Sequence, residues 1–186
     1  MTRLLQINNP TGIVKSKIKW LGEIPGADGK FEAYAHPYYG LRAGVLNVYN
    51  KITKKGLNTF NKLIPVLTPK SDNNKTDLYI QELERMTAIN RNQDLSIGIT
   101  PERMAAIVTG ITVMENGWGA VGPDTYFTLD NITGVTKDAI NNTRFFEPDP
   151  TPKNKTLWLG WLALALVSVA LVSAIFYTYN KGGASA

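Results

Sequence analysis

The chain has 186 residues, with 20 Lys+Arg against 15 Asp+Glu, no cysteine and one histidine. The lack of cysteine excludes disulfides, thiolate nucleophiles and cysteine-based zinc or iron–sulfur sites, and a single histidine disfavours a Ser–His–Asp triad. We therefore expect no metal and no cofactor, and the net charge of +5 comes without a nucleic-acid motif, so no nucleic-acid partner is expected.

The first third of the chain carries short apolar stretches around a turn-rich segment. The stretches are residues 13–14, 18–21 and 31–34, and the turn is Pro25-Gly26-Ala27-Asp28-Gly29. Short apolar runs on either side of a Gly- and Pro-containing turn are typical of paired strands. We predict a small β-hairpin here.

A helical pattern begins after residue 40. Apolar side chains recur at three- and four-residue spacing, at Leu41, Val45, Val48, Tyr49 and Ile52. Gly56 follows two lysines and provides the C-terminal stop of this helix. His36, which precedes Pro37, is expected in the loop before the helix, as a structural residue.

Two shorter helices are predicted next. Asn58 or Thr59 caps the first of them, which ends near Pro69 because proline cannot continue a helix. The second begins near Thr76 and directs three side chains towards the core: Leu78, Tyr79 and Leu83.

The fourth predicted helix is the most apolar. Thr100 is a suitable N-cap, Pro101 fits the first helical position, and Glu102 favours the positive end of the helix dipole. Residues 104–114 carry no charge, and a helix that is apolar on nearly all sides belongs in a core. This helix ends at Glu115, and the predicted body is α+β: mostly helical, with one small hairpin.

Glu115 stands out because it lies at the end of that helix where the dipole disfavours a negative charge. Its neighbours Val113, Met114 and Trp118 are apolar, and both effects should raise its pKa. A glutamic acid that stays protonated near neutral pH can act as a general acid in cleaving a glycosidic bond. The alternative is an ordinary solvent-facing glutamate at a helix end.

The last part of the chain changes character. Residues 157–179 are 23 residues without a charge, long enough as a helix of ~34 Å to span a hydrocarbon core of ~30 Å. We predict a C-terminal transmembrane helix at 157–179, preceded by a Pro-rich stalk at 147–156 and followed by a short tail at 180–186. No signal peptide is predicted, and more basic residues flank the N-terminal side, which predicts a cytoplasmic body.

Several short motifs occur in a recognisable order. They include Asn8-Asn9-Pro10-Thr11-Gly12, Trp20-Leu21-Gly22, Gly40-Leu41-Arg42-Ala43 and Glu115-Asn116-Gly117. Over about residues 5–119 this order resembles phage structural proteins related to peptidoglycan lytic transglycosylases. The segment Glu115-Asn116-Gly117-Trp118-Gly119 is also similar to the sequence around the catalytic glutamate of bacterial glucosaminidases, which share the lysozyme-like fold.

The resemblance implies a mostly helical, lysozyme-like peptidoglycan-cleaving core at 1–119 with an extension of the body at 120–146. It implies Glu115 as the catalytic residue, with substrate contacts proposed at Asn8, Asn9, Trp20, Phe31, Tyr34 and Trp118. The Asn and hairpin residues have an alternative role in forming the turn and the hairpin core. A lytic transglycosylase needs one carboxyl group, whereas a two-carboxylate hydrolase needs a second, for which the candidates are Glu32, Glu23 and Asp124.

The sequence thus predicts a virion membrane-anchored enzyme that cleaves the MurNAc–GlcNAc β-1,4 bond when a phage crosses the host wall. Its expected partners are peptidoglycan glycan strands, the lipid bilayer and other virion membrane or capsid proteins. Its expected location is the internal membrane of the virion, and the host cytoplasmic membrane during assembly. Two alternatives remain: a non-catalytic structural virion membrane protein with this fold, and a cellular wall-remodelling hydrolase of the muramidase or glucosaminidase type.

Overall fold

A computed structural model of the protein describes residues 1–26, 29–69 and 75–141. The helices and strands follow in this order: α1 (Arg3–Gln6), β1 (Glu23–Ile24), β2 (Ala33–Tyr34), α2 (Pro37–Lys54), α3 (Phe60–Leu67), α4 (Thr76–Thr87), α5 (Pro101–Asn116), a short 3-10 helix (Trp118–Ala120) and α6 (Leu129–Asn141). The described chain is therefore mostly helical, with one small antiparallel sheet.

Helix α5 is the central element of the core, as its uncharged sequence predicted. It packs against α2, α4 and α6, and its side chains Met104, Ile107 and Val108 are fully buried. The Thr100 hydroxyl accepts a hydrogen bond from the Arg103 backbone N–H at 3.2 Å, which confirms the predicted N-cap. Gly117 ends the helix with a φ of 85°, a conformation that favours glycine.

The three other predicted helices are present as α2, α3 and α4, whereas α1 and α6 were not predicted, and two details of the predicted helices differ. Helix α2 begins at Pro37, before its first predicted apolar position, because the Nδ1 atom of His36 accepts a hydrogen bond from the Tyr38 N–H at 3.1 Å. His36 lies in the loop just before the helix, as predicted, and its structural role is that of the N-cap. Leu78 was predicted to face the core but is 48% exposed, whereas Tyr79 and Leu83 are buried.

The predicted hairpin is present, with strands shorter than the apolar stretches suggested. Strands β1 and β2 are antiparallel, with Glu23 opposite Tyr34 and Ile24 opposite Ala33. The buried side chain of Asn9 links the turn at residues 9–13 to the hairpin by hydrogen bonds. Its Nδ2 donates to the backbone oxygens of Ile13 and Glu32 at 2.9 Å each, and its Oδ1 accepts from the Ile13 N–H at 2.8 Å.

Helix α6 lies in the segment that was predicted only as an extension of the body. It packs against α5 and α2, so the described part of that segment belongs to the core. Asp138 on α6 is buried, accepts a hydrogen bond from the Tyr38 hydroxyl and lies 3.6 Å from the Arg42 Nε. This buried ionic and hydrogen-bonded contact joins α6 to α2.

The predicted membrane anchor requires a correction. In the residues that the structure describes, no helix has the length and apolar character needed to cross a membrane. Helix α5 has 16 residues, about 24 Å of helix against a core of ~30 Å, and the 18-residue α2 carries Arg42, Lys51 and Lys54. This finding contradicts the predicted fold class, which ended in a transmembrane helix, and the predicted location as a single-pass membrane protein. The predicted helix at 157–179, the stalk and the tail lie outside the described residues.

Two glycines inside helices provide a test of the packing. A Cβ added to Gly40 on α2 would lie 1.6 Å from the backbone oxygen of Asn8, whereas a Cβ on Gly134 of α6 meets no atom within 4 Å. We expect Gly40→Ala to reduce the free energy of unfolding by about 3 kcal/mol or more, because backbone must move. Gly134→Ala should instead raise it by about 0.5–1 kcal/mol through helix propensity. Urea unfolding of both variants measures the two changes, and a tolerated Gly40→Ala would contradict this close approach.

Candidate functional site

Glu115 lies in the last turn of α5, with its side chain partly buried. The hydroxyl of Tyr79, on α4, donates a hydrogen bond to Glu115 Oε1 at 3.1 Å. Burial raises the pKa of Glu115 above its ordinary value of 4.5, and the hydrogen bond from Tyr79 offsets part of this rise by stabilising the carboxylate. The predicted rise of this pKa is confirmed in direction, and its main cause is desolvation.

The second carboxylate oxygen of Glu115 lies against the turn that follows α1. Gly12 in this turn has a φ of +66°, and a Cβ added to it would lie 3.2 Å from Glu115 Oε2. Asn116 holds the turn in place, because its Nδ2 donates to the Pro10 backbone oxygen at 2.7 Å and to the Thr112 oxygen at 3.1 Å. The absence of a side chain at Gly12 thus allows the turn to lie close to Oε2.

Tyr79 and Gly12 are the two residues beside Glu115 that the sequence analysis did not assign to the site. Tyr79 was predicted to be buried, and Gly12 belongs to a motif of the resemblance. The available signal was that a buried tyrosine needs a partner for its hydroxyl. The partner that the hydroxyl finds depends on how α4 packs against α5. The sequence alone does not give the distance between Tyr79 and Glu115.

The two predicted asparagine contacts are occupied within the protein. Asn8 has a positive φ of 57°, and its Nδ2 donates to the Tyr34 backbone oxygen at 2.8 Å. Asn9 is 0% exposed, and both polar atoms of its side chain bond to backbone groups. The structure places both side chains in turn formation, the alternative role considered for them.

The four predicted aromatic contacts are spread over the surface and the core. Tyr34 is 1% exposed, and Phe31 is partly buried beside the Lys30 ammonium, which lies 5.3 Å from its ring centre. Trp20 lines a cavity of about 490 Å³ beside the hairpin. Trp118 is 63% exposed, with the Arg85 guanidinium 5.3 Å from its ring centre.

Trp118 lines a second and larger cavity, an open groove of about 970 Å³ between α4, α5 and the start of α6. Val113 and Leu129 contribute apolar surface to this groove. Glu115 lines neither this groove nor the cavity beside the hairpin. The structure therefore separates the predicted catalytic residue from these two concave surfaces.

The candidates for a second catalytic acid have other tasks. Glu23 accepts from the Trp20 N–H at 3.1 Å and pairs with Lys19 at 3.3 Å, and the backbone hydrogen bond lowers its pKa. Glu32 is 3% exposed and accepts from the Ser16 N–H at 2.9 Å. Glu23 and Glu32 both line the cavity beside the hairpin, and Asp124 is exposed at the surface.

Across residues 1–26, 29–69 and 75–141, no group of three or more His, Asp or Glu side chains could hold a metal ion.

Comparison with known proteins gives one relative of phage origin. Over 119 residues the chain is 32% identical to Protein P5 of Pseudoalteromonas phage PM2, and the match covers 62% of this chain and 71% of the phage protein. No family model matches the sequence. The name of the relative states no activity, so the lysozyme-like resemblance stays a prediction.

The two carboxylates at the ends of α5 should give opposite pH dependences of stability. The pKa of Glu115 is raised, so its contribution is complete below pH 4.5 and is lost as the pH rises through the folded-state pKa. The pKa of Glu102 is lowered by a backbone hydrogen bond and then by Lys137, so its contribution is present above pH 4.5 and is lost as the pH falls.

We therefore expect Glu115→Gln to gain stability relative to the unmodified protein as the pH rises, because glutamine has no proton to lose. Glu102→Gln should lose stability at neutral pH and recover it in acid. Urea unfolding of the three proteins between pH 4 and pH 8 measures both differences. A pH-independent difference for Glu115→Gln would show that this carboxyl group is not desolvated.

Proposed function

We propose that this chain, which belongs to the family of Protein P5 of Pseudoalteromonas phage PM2, is a phage peptidoglycan-cleaving enzyme of the lytic transglycosylase type. Glu115 is its single general acid and base, and the glycan strands of the host wall are its substrate. The phage origin of the relative favours this role over a cellular wall-remodelling hydrolase.

The observation that carries the proposal is the surroundings of the Glu115 carboxyl group. One oxygen is held by Tyr79 at 3.1 Å, and the other faces the turn at Gly12, where no side chain intervenes. Burial raises the pKa of Glu115, which increases the protonated fraction available near neutral pH. A carboxyl group whose Oε1 is held by Tyr79 and whose protonated form is favoured by burial is suited to act as a general acid.

In the proposed reaction, Glu115 donates this proton to the glycosidic oxygen while the bond to the anomeric carbon breaks. The N-acetyl group of the substrate assists the departure of the leaving sugar. The Glu115 carboxylate then removes the proton of the C6 hydroxyl, whose oxygen closes a 1,6-anhydro ring on the anomeric carbon. The proton balance is restored and no water is consumed, so a single carboxyl group is sufficient.

A second candidate is a structural role in the phage particle without catalysis. It is supported by the internal hydrogen bonds of Asn8 and Asn9, and by the two cavities, neither of which includes Glu115. In this alternative, the motif residues preserve the turn beside α5, and Glu115 has no substrate.

Clearing of purified peptidoglycan separates the two candidates. The unmodified protein should clear the substrate and release products with 1,6-anhydro ends, which mass spectrometry distinguishes from hydrolysis products by one water. Glu115→Gln should clear it at least ~100-fold more slowly, since it has no proton to transfer. Glu102→Gln, which removes an exposed carboxylate from the same helix, should keep full activity. Equal clearing by Glu115→Gln would exclude Glu115, and no clearing by any protein would favour the structural role.

Tyr79→Phe tests how the site controls the proton. Removal of the hydroxyl takes away the hydrogen bond that lowers the pKa of Glu115, so this pKa should rise further. Because the protonated acid is the active form, the alkaline limb of kcat/KM should move to higher pH. The measurement is a pH profile of clearing by both proteins. A limb that stays in place would indicate that a group other than Glu115 controls it.

A further inference from the structure

The open groove between α4, α5 and the start of α6 exposes part of the central helix to solvent. Its floor is the face of α5 that extends from Glu102 to Val113, a length of about 16 Å along the helix axis. Ala106, in the middle of this floor, is exposed. A helix that is apolar on nearly all sides is normally covered along its length, and the described residues leave this face of α5 uncovered.

Two large apolar side chains flank the groove and are exposed with it. Trp118 is 63% exposed and Leu129 is 64% exposed, and both line the groove. Single exposed apolar side chains are common, whereas a pair of them beside an apolar hollow is typical of an interaction surface. Trp118 also stacks with the Arg85 guanidinium, and Trp and Arg are enriched at the energetic centres of protein interfaces.

The two walls of the groove carry opposite charges. Arg85, on the α4 wall, is exposed and pairs with Glu82 at 2.8 Å, and its guanidinium has further N–H donors for a second carboxylate. Asp130, on the α6 wall, is exposed and forms no ion pair within the described part of the chain. Because α5 packs against both α4 and α6, the two charges stand on opposite sides of its floor.

These features make the groove complementary to itself. A symmetric dimer uses the same surface patch on both copies, so the patch must contain both partners of every contact. The groove combines a hollow with projecting apolar side chains, and a basic wall with an acidic wall. A two-fold axis parallel to the groove brings α4 of one copy opposite α6 of the other, so Arg85 and Asp130 face each other twice across the interface.

We infer that two copies of this chain associate through this groove. Trp118 and Leu129 of each copy cover the α5 floor of the other, and Arg85 of each copy pairs with Asp130 of the other. This arrangement removes the exposed face of α5 from water and gives Asp130 an ionic partner. It does not depend on the proposed reaction, because Glu115 does not line the groove.

The first test measures the mass of the full chain by analytical ultracentrifugation between about 1 and 100 µM, a range that suits a small interface. We expect the mass to rise with concentration from that of one chain towards that of two. Arg85→Glu and Asp130→Arg should each raise the dissociation constant at least ~10-fold, because like charges then face each other twice. A single chain at every concentration, or an association that neither substitution changes, would overturn the inference.

Mixing the two charge variants tests whether the two residues meet between copies. In a mixed dimer of Arg85→Glu with Asp130→Arg, each of the two contacts again joins one acidic and one basic side chain. The equimolar mixture should therefore associate about as strongly as the unmodified protein, although each variant alone does not. If the mixture stays as weakly associated as its components, Arg85 and Asp130 do not face each other in a dimer.

The apolar contact is tested with a matched pair of exposed side chains. Leu129→Ser should raise the dissociation constant at least ~10-fold, whereas Ile97→Ser, which removes a 70% exposed side chain outside the groove, should leave it unchanged. An equal loss in both variants would indicate non-specific apolar association and contradict the inference. Urea unfolding at the lowest concentration should give similar midpoints for all these variants, which separates a lost interface from a lost fold.

Discussion

The contact between the C-terminal end of α5 and the turn at Pro10–Gly12 is the constraint on which the rest of this region depends. The side-chain amide of Asn116 donates to Pro10 and accepts from Thr2, so it joins segments more than 100 residues apart in sequence. The same turn is held from its other side by the buried amide of Asn9. The side-chain amides of Asn9 and Asn116 thus satisfy backbone N–H and C=O groups that secondary structure would otherwise pair.

This contact also explains why Glu115 is desolvated at a helix end, where a carboxylate would normally be hydrated. The turn covers one side of the carboxyl group, and Tyr79 covers another. Protein stability is reduced by such an arrangement at neutral pH, since the ionised form is held in an apolar environment near the negative end of the helix dipole. The lost stability would be the usual cost of a functional site if the proposed activity is present.

The parts of this structure that were predictable have a local cause. The Thr100 cap and the uncharged run after it specify α5 by themselves, and the raised pKa of Glu115 follows from burial, which its apolar neighbours in the sequence indicated. Errors arose where a local signal was unusual or was overlooked. The start of α2 at Pro37 was missed because His36 caps the helix with a ring nitrogen rather than a hydroxyl, and α6 was not predicted although its apolar residues have helical spacing. The Tyr79 hydrogen bond was beyond prediction, because it depends on the packing of α4 against α5, as does the exposure of Leu78.

The motifs on which the predicted resemblance to lytic transglycosylases rests have an architectural explanation in this structure. Asn8 and Asn9 build the turn, Gly40 allows the backbone of Asn8 to approach α2, and Asn116 fixes the turn to α5. These residues preserve the contact between the Pro10–Gly12 turn and the end of α5 beside Glu115, and this role does not require that they bind a sugar. The resemblance is therefore most informative about the position of one carboxyl group. The motif asparagines bond within the protein, so they supply no free group for a ligand, and any binding surface would have to be formed by other residues.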